Sequence, residues 1–280
     1  MKVRQLILPV LLIATCFSLI TSCNKNEPTQ DTTKATAVDN SNILAERMFN
    51  DVGKYTSGVL TENKKSTLKS IAADVSPISS CLRIYFDFNS SPNKLVLDFG
   101  TENCFCEDGL NRRGKILITY DAGYSDSLAT LNTTFDGYYV NNNQVTGSRT
   151  LSYKGHNQDK NPNWTVTING SIIMANNGGT ITYQATYNTA MVEGESTMDY
   201  KDNVFATTGS ASGTTPAGQA FTALVTTPLI SNMKCNNFVK GVVELTPAGE
   251  PKRTLNYGEG DCDNKASVTV NGITFNVNLP

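Results

Sequence analysis

The spacing of apolar and polar positions changes period once along the chain. Leu44, Met48, Val52, Tyr55 and Val59 recur at steps of four, four, three and four, which lines one face of an α-helix. Asp39, Asn40 and Ser41 just upstream offer side-chain acceptors of the kind that close a helix N-terminus. The pattern predicts a helical segment over 39–76, with a second turn or two around Leu68, Ile71 and Val75 that ends before Pro77. From Cys81 onward the period is two. Leu82, Ile84, Phe86 and Phe88 alternate with Arg83, Tyr85 and Asp87, as on a strand with one face toward a core. Similar runs follow at 115–120, 128–135, 144–153, 164–173, 180–187, 221–226, 238–245 and 266–277. Turn signals separate or split many of them: Asn141-Asn142-Asn143, Asn169-Gly170, Asn176-Asn177-Gly178-Gly179 and Asn271-Gly272. The last is flanked by strand-like residues on both sides and reads as a hairpin on a type I′ turn, whose two central positions need φ > 0. Consecutive hairpins with no intervening helical pattern predict a mainly β fold. It is an antiparallel hairpin meander over 77–280, as a sandwich or an extended sheet, with one or two short N-terminal helices.

The segment before the helix has a different character. Lys2 and Arg4 precede an apolar run over 6–20 broken by Pro9, too short to span a hydrocarbon layer, which takes about 20 residues. The run ends in Leu19-Ile20-Thr21-Ser22-Cys23. This resembles a bacterial lipobox, with 1–22 as a lipoprotein signal peptide and Cys23 as the lipidated first residue of the mature chain. The resemblance implies an envelope lipoprotein of a Gram-negative bacterium whose partner is the lipid bilayer, reached through palmitate-type acyl chains on Cys23. Asn24 rather than Asp follows the Cys, which favours the outer membrane, on its periplasmic side or at the cell surface. Residues 24–38, with Pro28, several Thr and no aromatic residue, read as a flexible linker.

Two stretches share one pattern: 98–104, Asp-Phe-Gly-Thr-Glu-Asn-Cys, and 256–262, Asn-Tyr-Gly-Glu-Gly-Asp-Cys. Each is preceded by a cysteine, Cys81 and Cys235, with two strand-like runs and a turn between, so two similar hairpin-based halves are an option. Residues equidistant from a hairpin turn face each other. The midpoints of 81 with 104 and of 235 with 262 fall inside the turns Ser90-Ser91-Pro92-Asn93 and Pro247-Ala248-Gly249-Glu250. Envelope export supplies an oxidising compartment, and the expected disulfides are Cys81–Cys104 and Cys235–Cys262. Cys106 is also in register with Cys81; the repeat favours Cys104, whose counterpart is Cys262. A four-thiolate zinc site lacks paired CxxC-like knuckles.

Composition narrows the remaining chemistry. Of 280 residues, about 30% are Asn, Ser or Thr and 17% are charged, well under the usual quarter. The formal charge is -2, or -4 without Lys2 and Arg4, so there is no basic footprint for nucleic acid. The single His, His156, lies in a polar loop with no nucleophile-elbow sequence in the chain, so no catalytic residue and no cofactor is assigned. Acids cluster after the cysteine repeats. Asp261 and Asp263, with Asn264 beside them, are the nearest approach to a calcium loop, without its full pattern. Trp164, Tyr138, Tyr139 and Tyr153 are the residue types of a glycan platform and equally of a core. Arg112-Arg113 beside Gly114 reads as a turn.

The lipobox, the segment Asp108-Gly109-Leu110-Asn111-Arg112-Arg113-Gly114-Lys115-Ile116 and the segment Tyr257-Gly258-Glu259-Gly260-Asp261-Cys262-Asp263-Asn264 together resemble a family of uncharacterised Gram-negative envelope lipoproteins. The resemblance covers the chain from about Phe49 to its end. It implies location and architecture and supplies no mechanism. The function expected from sequence is a non-catalytic binding or structural module with a protein or glycan partner. The alternative is a glycan-active hydrolase or a carbohydrate-binding surface protein.

Overall fold

A computed structural model describes residues 36–65, 74–76, 79–121, 129–197 and 199–280, with backbone alone for 61–65, 74–76 and 79. The expected leader, Cys23, nearly all of the linker, and Leu68 and Ile71 lie outside the described residues. Helix α1 (Ala37–Lys65) is followed by β1 (Asp74–Ser76), β2 (Ser79–Asp87), β3 (Asn93–Asp98), β4 (Cys104–Phe105), β5 (Asn111–Tyr120), β6 (Thr130–Val140), β7 (Asn143–His156) and β8 (Pro162–Ile173). Then come β9 (Thr180–Glu193), a 3₁₀ turn (Tyr200–Asp202), β10 (Val204–Thr214), β11 (Ala220–Asn232), β12 (Phe238–Pro247), β13 (Arg253–Glu259), β14 (Lys265–Val270) and β15 (Ile273–Asn278). All strands belong to one antiparallel sheet. Fourteen of them are ordered as in the chain without a crossover, and β4 pairs with β5 off that path. The meander is therefore an extended sheet rather than a sandwich.

Three local readings change. Val75, expected in a second helical turn, lies in β1 opposite Arg83. The helix starts earlier than the 39–41 cap would place it. Thr36 stands before it, and Asp39 one turn in reaches back to accept the Thr36 backbone N–H at 2.8 Å, half of a capping box. Asn169-Gly170 is not a turn but the middle of β8, where Gly170 pairs with Gly147 and with Tyr183. A Cβ on Gly170 would sit 2.5 Å from Phe49 Cζ, so the glycine clears space for a ring of the helix. Strand β10, Val-Phe-Ala-Thr-Thr-Gly-Ser-Ala-Ser-Gly-Thr, has small residues in place of an apolar alternation and carries no sequence signal. The Asn141-Asn142 and Asn271-Gly272 turns do join β6 to β7 and β14 to β15, with φ of 48°, 64°, 51° and 79°.

The sheet encloses the helix rather than lying on one side of it. Over 37–60 only Ala37 and Asn40 are exposed. Phe49 stacks on Tyr183 of β9, with ring centroids 6.2 Å apart, while Tyr55 meets Phe99 after β3 edge-to-face at 5.4 Å. Tyr257 of β13 reaches the same helix from the far side, donating to Glu46 at 2.6 Å. Partners drawn from such distant places in the strand order require a sheet that curves round α1. Strand twist and the register shifts between β5 and β6, β10 and β11, and β11 and β12 supply that curvature.

The repeated motif has one structural job at both ends of the sheet. Asp98 and Asn256 each accept the backbone N–H of the glycine two residues on, at 2.8 and 2.9 Å. Gly100 and Gly258 take φ of 82° and 96°, a region that favours glycine. Between Asx and Gly, the aromatic residue, Phe99 or Tyr257, is turned inward and buried. Neither pair is opposed across a ladder: Cys81 lies in β2, whose partners are β1 and β3. Cys104 lies in β4, and Cys235 and Cys262 flank β12 and β13. Even so, the Cα atoms of Cys81 and Cys104 are 5.7 Å apart and those of Cys235 and Cys262 are 5.3 Å apart, both at disulfide distance. Cys106 is buried and outside both pairs.

Peptide mapping without reductant is expected to recover Cys81 linked to Cys104 and Cys235 linked to Cys262, with Cys106 alkylated only after unfolding. Cys235→Ser is expected to lower stability by about 3 kcal/mol, from the loop it leaves unclosed. Free thiols at Cys235 and Cys262 in the oxidised protein would contradict both expectations.

Candidate functional site

Three acids of the enclosed helix, Asp39, Glu46 and Asp51, are each met by a strand. Asp39 and Glu46 are seven residues apart, about 10.5 Å along one helix face, while Arg253 and Tyr257 are four apart, about 13 Å along one face of β13. The two spacings match closely enough for both pairs to form. Arg253 Nη1 lies 3.1 Å from Asp39 Oδ2, with both side chains fully buried. About 140° round the helix from Glu46, Asp51 faces β5 and binds Arg112 Nη2 at 2.8 Å. Asp108 takes the same guanidinium at 2.6 Å, and the Tyr55 ring lies 4.7 Å from its carbon. The Arg112-Arg113 pair is thus strand rather than turn. Arg112 points into the core and Arg113 stacks on Tyr139 at 3.8 Å.

Glu46 sits beneath three phenols. Tyr257 donates to one oxygen at 2.6 Å and Tyr187 to the other at 3.3 Å. Tyr183 lies 2.6 Å from the Tyr187 oxygen; with the Tyr187 proton directed at Glu46, Tyr183 is the donor. Burial pushes all three phenols up, so they stay protonated. Burial also pushes the Glu46 carboxyl up to about 7, against the opposing pull of these hydrogen bonds.

Beside Glu46 a cavity of about 80 Å³ opens between α1 and the inner faces of β7–β12. Its walls are aromatic: Phe49, Trp164, Tyr187, Phe205 and Phe238. Trp164 meets Phe205 at 6.2 Å, edge-to-face, and Tyr153 at 5.5 Å. Two cations line it at one turn of the helix. Arg149 is an inward residue of β7, in phase with Val145 and Leu151, and a Cβ on Gly53 would come 2.8 Å from its Nη2. Glycine there lets the guanidinium lie against the helix backbone. The next residue, Lys54, donates to the carbonyls of Asn232 and Cys235 in the β11–β12 connection. Burial brings its ammonium down to about 8.

The outer face of β8–β12 carries a second, shallow feature. It is a groove of about 670 Å³ whose exposed side chains include Thr167, Asn169, Gln184, Ser212 and Thr222, with Glu244 at one side. Glu244 is 2.8 Å from Lys252.

The structure separates most residues singled out in the sequence. Trp164 and Tyr138 are buried and Tyr139 faces the other way, so the four aromatic residues make no common platform. His156, expected in a loop, is the last residue of β7, paired with Pro162; its exposed ring joins Glu195 at 2.7 Å, with the Tyr153 hydroxyl 3.4 Å from its other nitrogen. Asp261 and Asp263 are exposed, and Asp263 accepts the Lys265 backbone N–H. Among the described residues no three His, Cys, Asp or Glu side chains form a group able to hold a metal ion. Glu46, Lys54 and Arg149 carried no functional assignment in the sequence. The signal available was Arg149, a charge on the apolar side of an alternating run. Among the described residues no helix is long and apolar enough to cross a membrane. Comparisons with protein-family models, with curated proteins and with solved structures found no match to this chain.

A carboxyl that holds its proton more tightly when folded makes the folded state take up a proton. For Glu46 the stability contributed by the neutral form is whole below about pH 4 and is lost as pH rises to about 7. The change is of order 3 kcal/mol. Lys54, lowered instead, adds a slope of opposite sign only above about pH 8. Urea unfolding at several pH values is expected to show stability falling between pH 4.5 and 7. Glu46→Gln should remove much of that fall and leave the variant the more stable at pH 7.5. An unchanged slope in the variant would place the effect elsewhere.

Proposed function

We propose that this protein is a non-catalytic binding module of the bacterial cell envelope, tethered to the outer membrane by acyl chains on Cys23, which retains a small molecule in the cavity between α1 and the sheet. The observation that carries the binding reading is the cavity itself. Here aromatic walls and convergent polar groups from α1 and the strands leave a space larger than the small gap of about 10 Å³ beside Ile43 and Asn50, and lined as ligand sites are. Two cysteine pairs at disulfide distance suit an oxidising compartment. The lipobox-like segment supports the tether.

The outer groove supports a second reading, carbohydrate binding, because a row of hydroxyl and amide side chains matches the hydrogen-bonding needs of a sugar. For a glycan-active hydrolase the groove offers one carboxylate, Glu244, where two are generally needed.

Thr207, which lines the cavity, is the position for a filling substitution. Protein purified from the envelope without denaturant is expected to release a non-covalent small molecule on unfolding, and Thr207→Phe to release none. Equal release from both would remove the cavity reading. Binding of the purified chain on a glycan array, lost on Gln184→Ala with Thr222→Ala, would favour the groove instead. Cys23→Ala is expected to leave the protein unlipidated and outside the membrane fraction; continued tight membrane association would contradict the tether.

A further inference from the structure

The sheet ends on an open strand. Among the described residues β15 is last in the strand order and pairs with β14 alone. The two join through Asn271-Gly272, a two-residue turn with both φ positive, so Val270 and Ile273 exchange both backbone hydrogen bonds. Opposed residues alternate from there. Ile273, Phe275 and Val277 direct their N–H and C=O groups at β14, whereas Thr274, Asn276 and Asn278 turn theirs to the open edge. Sheet edges are commonly defended by charged side chains, proline, a bulge or brevity. Strand β1, at the opposite end, is three residues long, begins with Asp74 and carries a register shift. Strand β15 runs six residues in unbroken register, and 266–280 hold no charged side chain and no proline before Pro280.

The strand that fits this edge is β15 itself. Placed antiparallel to its own copy about a twofold axis at Asn276, it sets Thr274 against Asn278 of the second copy and Asn276 against its counterpart. Every outward N–H and C=O of the three residues is then bonded; registers centred elsewhere leave an end residue unmet. The side chains agree. On the face toward the core Val277 and Leu279 are buried, Phe275 is partly so, and Ile273 is 48% exposed. The twofold register places Phe275 beside Val277, and Ile273 beside Leu279, of the second copy, covering apolar surface that one chain leaves open. The opposite face brings together only hydroxyls and amides. The formal charge of -4 without Lys2 and Arg4 opposes self-association, and a charge-free edge is where that opposition is weakest. We infer that β15 is a self-association edge, through which two copies of this chain join their sheets as a twofold dimer. The inference is independent of what the cavity holds.

Sedimentation equilibrium of the purified full chain, in density-matched detergent, is expected to show reversible dimers by about 100 µM, the weak association of a small interface. Raising the concentration should slow amide exchange at Thr274, Asn276 and Asn278. Exchange at Ile273, Phe275 and Val277, already bonded to β14, should stay as it is. Asn276 is exposed and meets its own copy at the axis. Asn276→Lys and Asn276→Asp should therefore each weaken the dimer at least about tenfold, by setting like charges opposite. An equimolar mixture of the two variants should restore it. A chain that stays monomeric at about 100 µM overturns the inference. So does a dimer that neither variant weakens, a mixture that associates no better than its parts, or a dimer that leaves these three amides unprotected. The exchange pattern of the unmodified chain decides the matter where a variant fails to fold.

Discussion

A helix enclosed by a sheet cannot leave a charge without a partner, and that constraint organises this molecule. Helix α1 carries Asp39, Glu46 and Asp51 on sides that an exposed amphipathic helix would turn to water. Inside the sheet each needs a donor: Arg253 for Asp39, Tyr257 and Tyr187 for Glu46, Arg112 for Asp51. A buried ion pair adds little net stability when intact, because desolvation offsets much of the attraction, but it penalises every arrangement that breaks it. The three contacts therefore act chiefly on register. They fix how far the helix slides along β13 and how it is rotated toward β5.

The repeated Asx-aromatic-Gly motif serves the same end by other means. At each occurrence an Asx side chain closes a short turn onto the glycine N–H, and the residue between is aimed at the helix. One copy delivers Phe99 to Tyr55 in the later half of α1, and the other delivers Tyr257 to Glu46 in the earlier half. The nearby cysteine pairs tie together segments that no shared ladder joins, β2 to β4 at one copy and the chain before β12 to the chain after β13 at the other.

What depends on local spacing was legible in the sequence. The 3.6-residue stripe over Leu44–Val59 marks the helix, two-residue alternation marks most strands, and Asn-Gly and Asn-Asn mark hairpins. The cysteine pairs followed from the same arithmetic, although the strand β4 that carries Cys104 and pairs with β5 did not. What depends on closure over long range was not legible. Glu46 and Lys54 occupy positions that read as a wet helix face until β13 and the β11–β12 connection cover them. Gly170 reads as a turn residue because the ring it accommodates, Phe49, lies 121 positions earlier. Arg149 is the intermediate case: its phase in β7 points inward, but a single inward cation does not say whether it meets an acid, a backbone or a ligand. Strand β10 places one bulky side chain, Phe205, in the core and otherwise buries small residues, Thr207 and Ala211, so its inward positions show no apolar alternation.

The chain-ordered meander also sets a sequence of assembly. Every strand pairing from β1 to β15 except β3 with β5, which passes over the short β4, is with a sequence neighbour, so the sheet can extend outward one hairpin at a time. The helix is made first and completed last. Asp39 waits for Arg253 across 214 residues and Glu46 for Tyr257 across 211. A chain interrupted after β12 would own most of its sheet and yet hold two carboxylates in an apolar trough with half their donors missing. Closure of the final hairpins is thus the event that converts a growing ribbon into a sealed container.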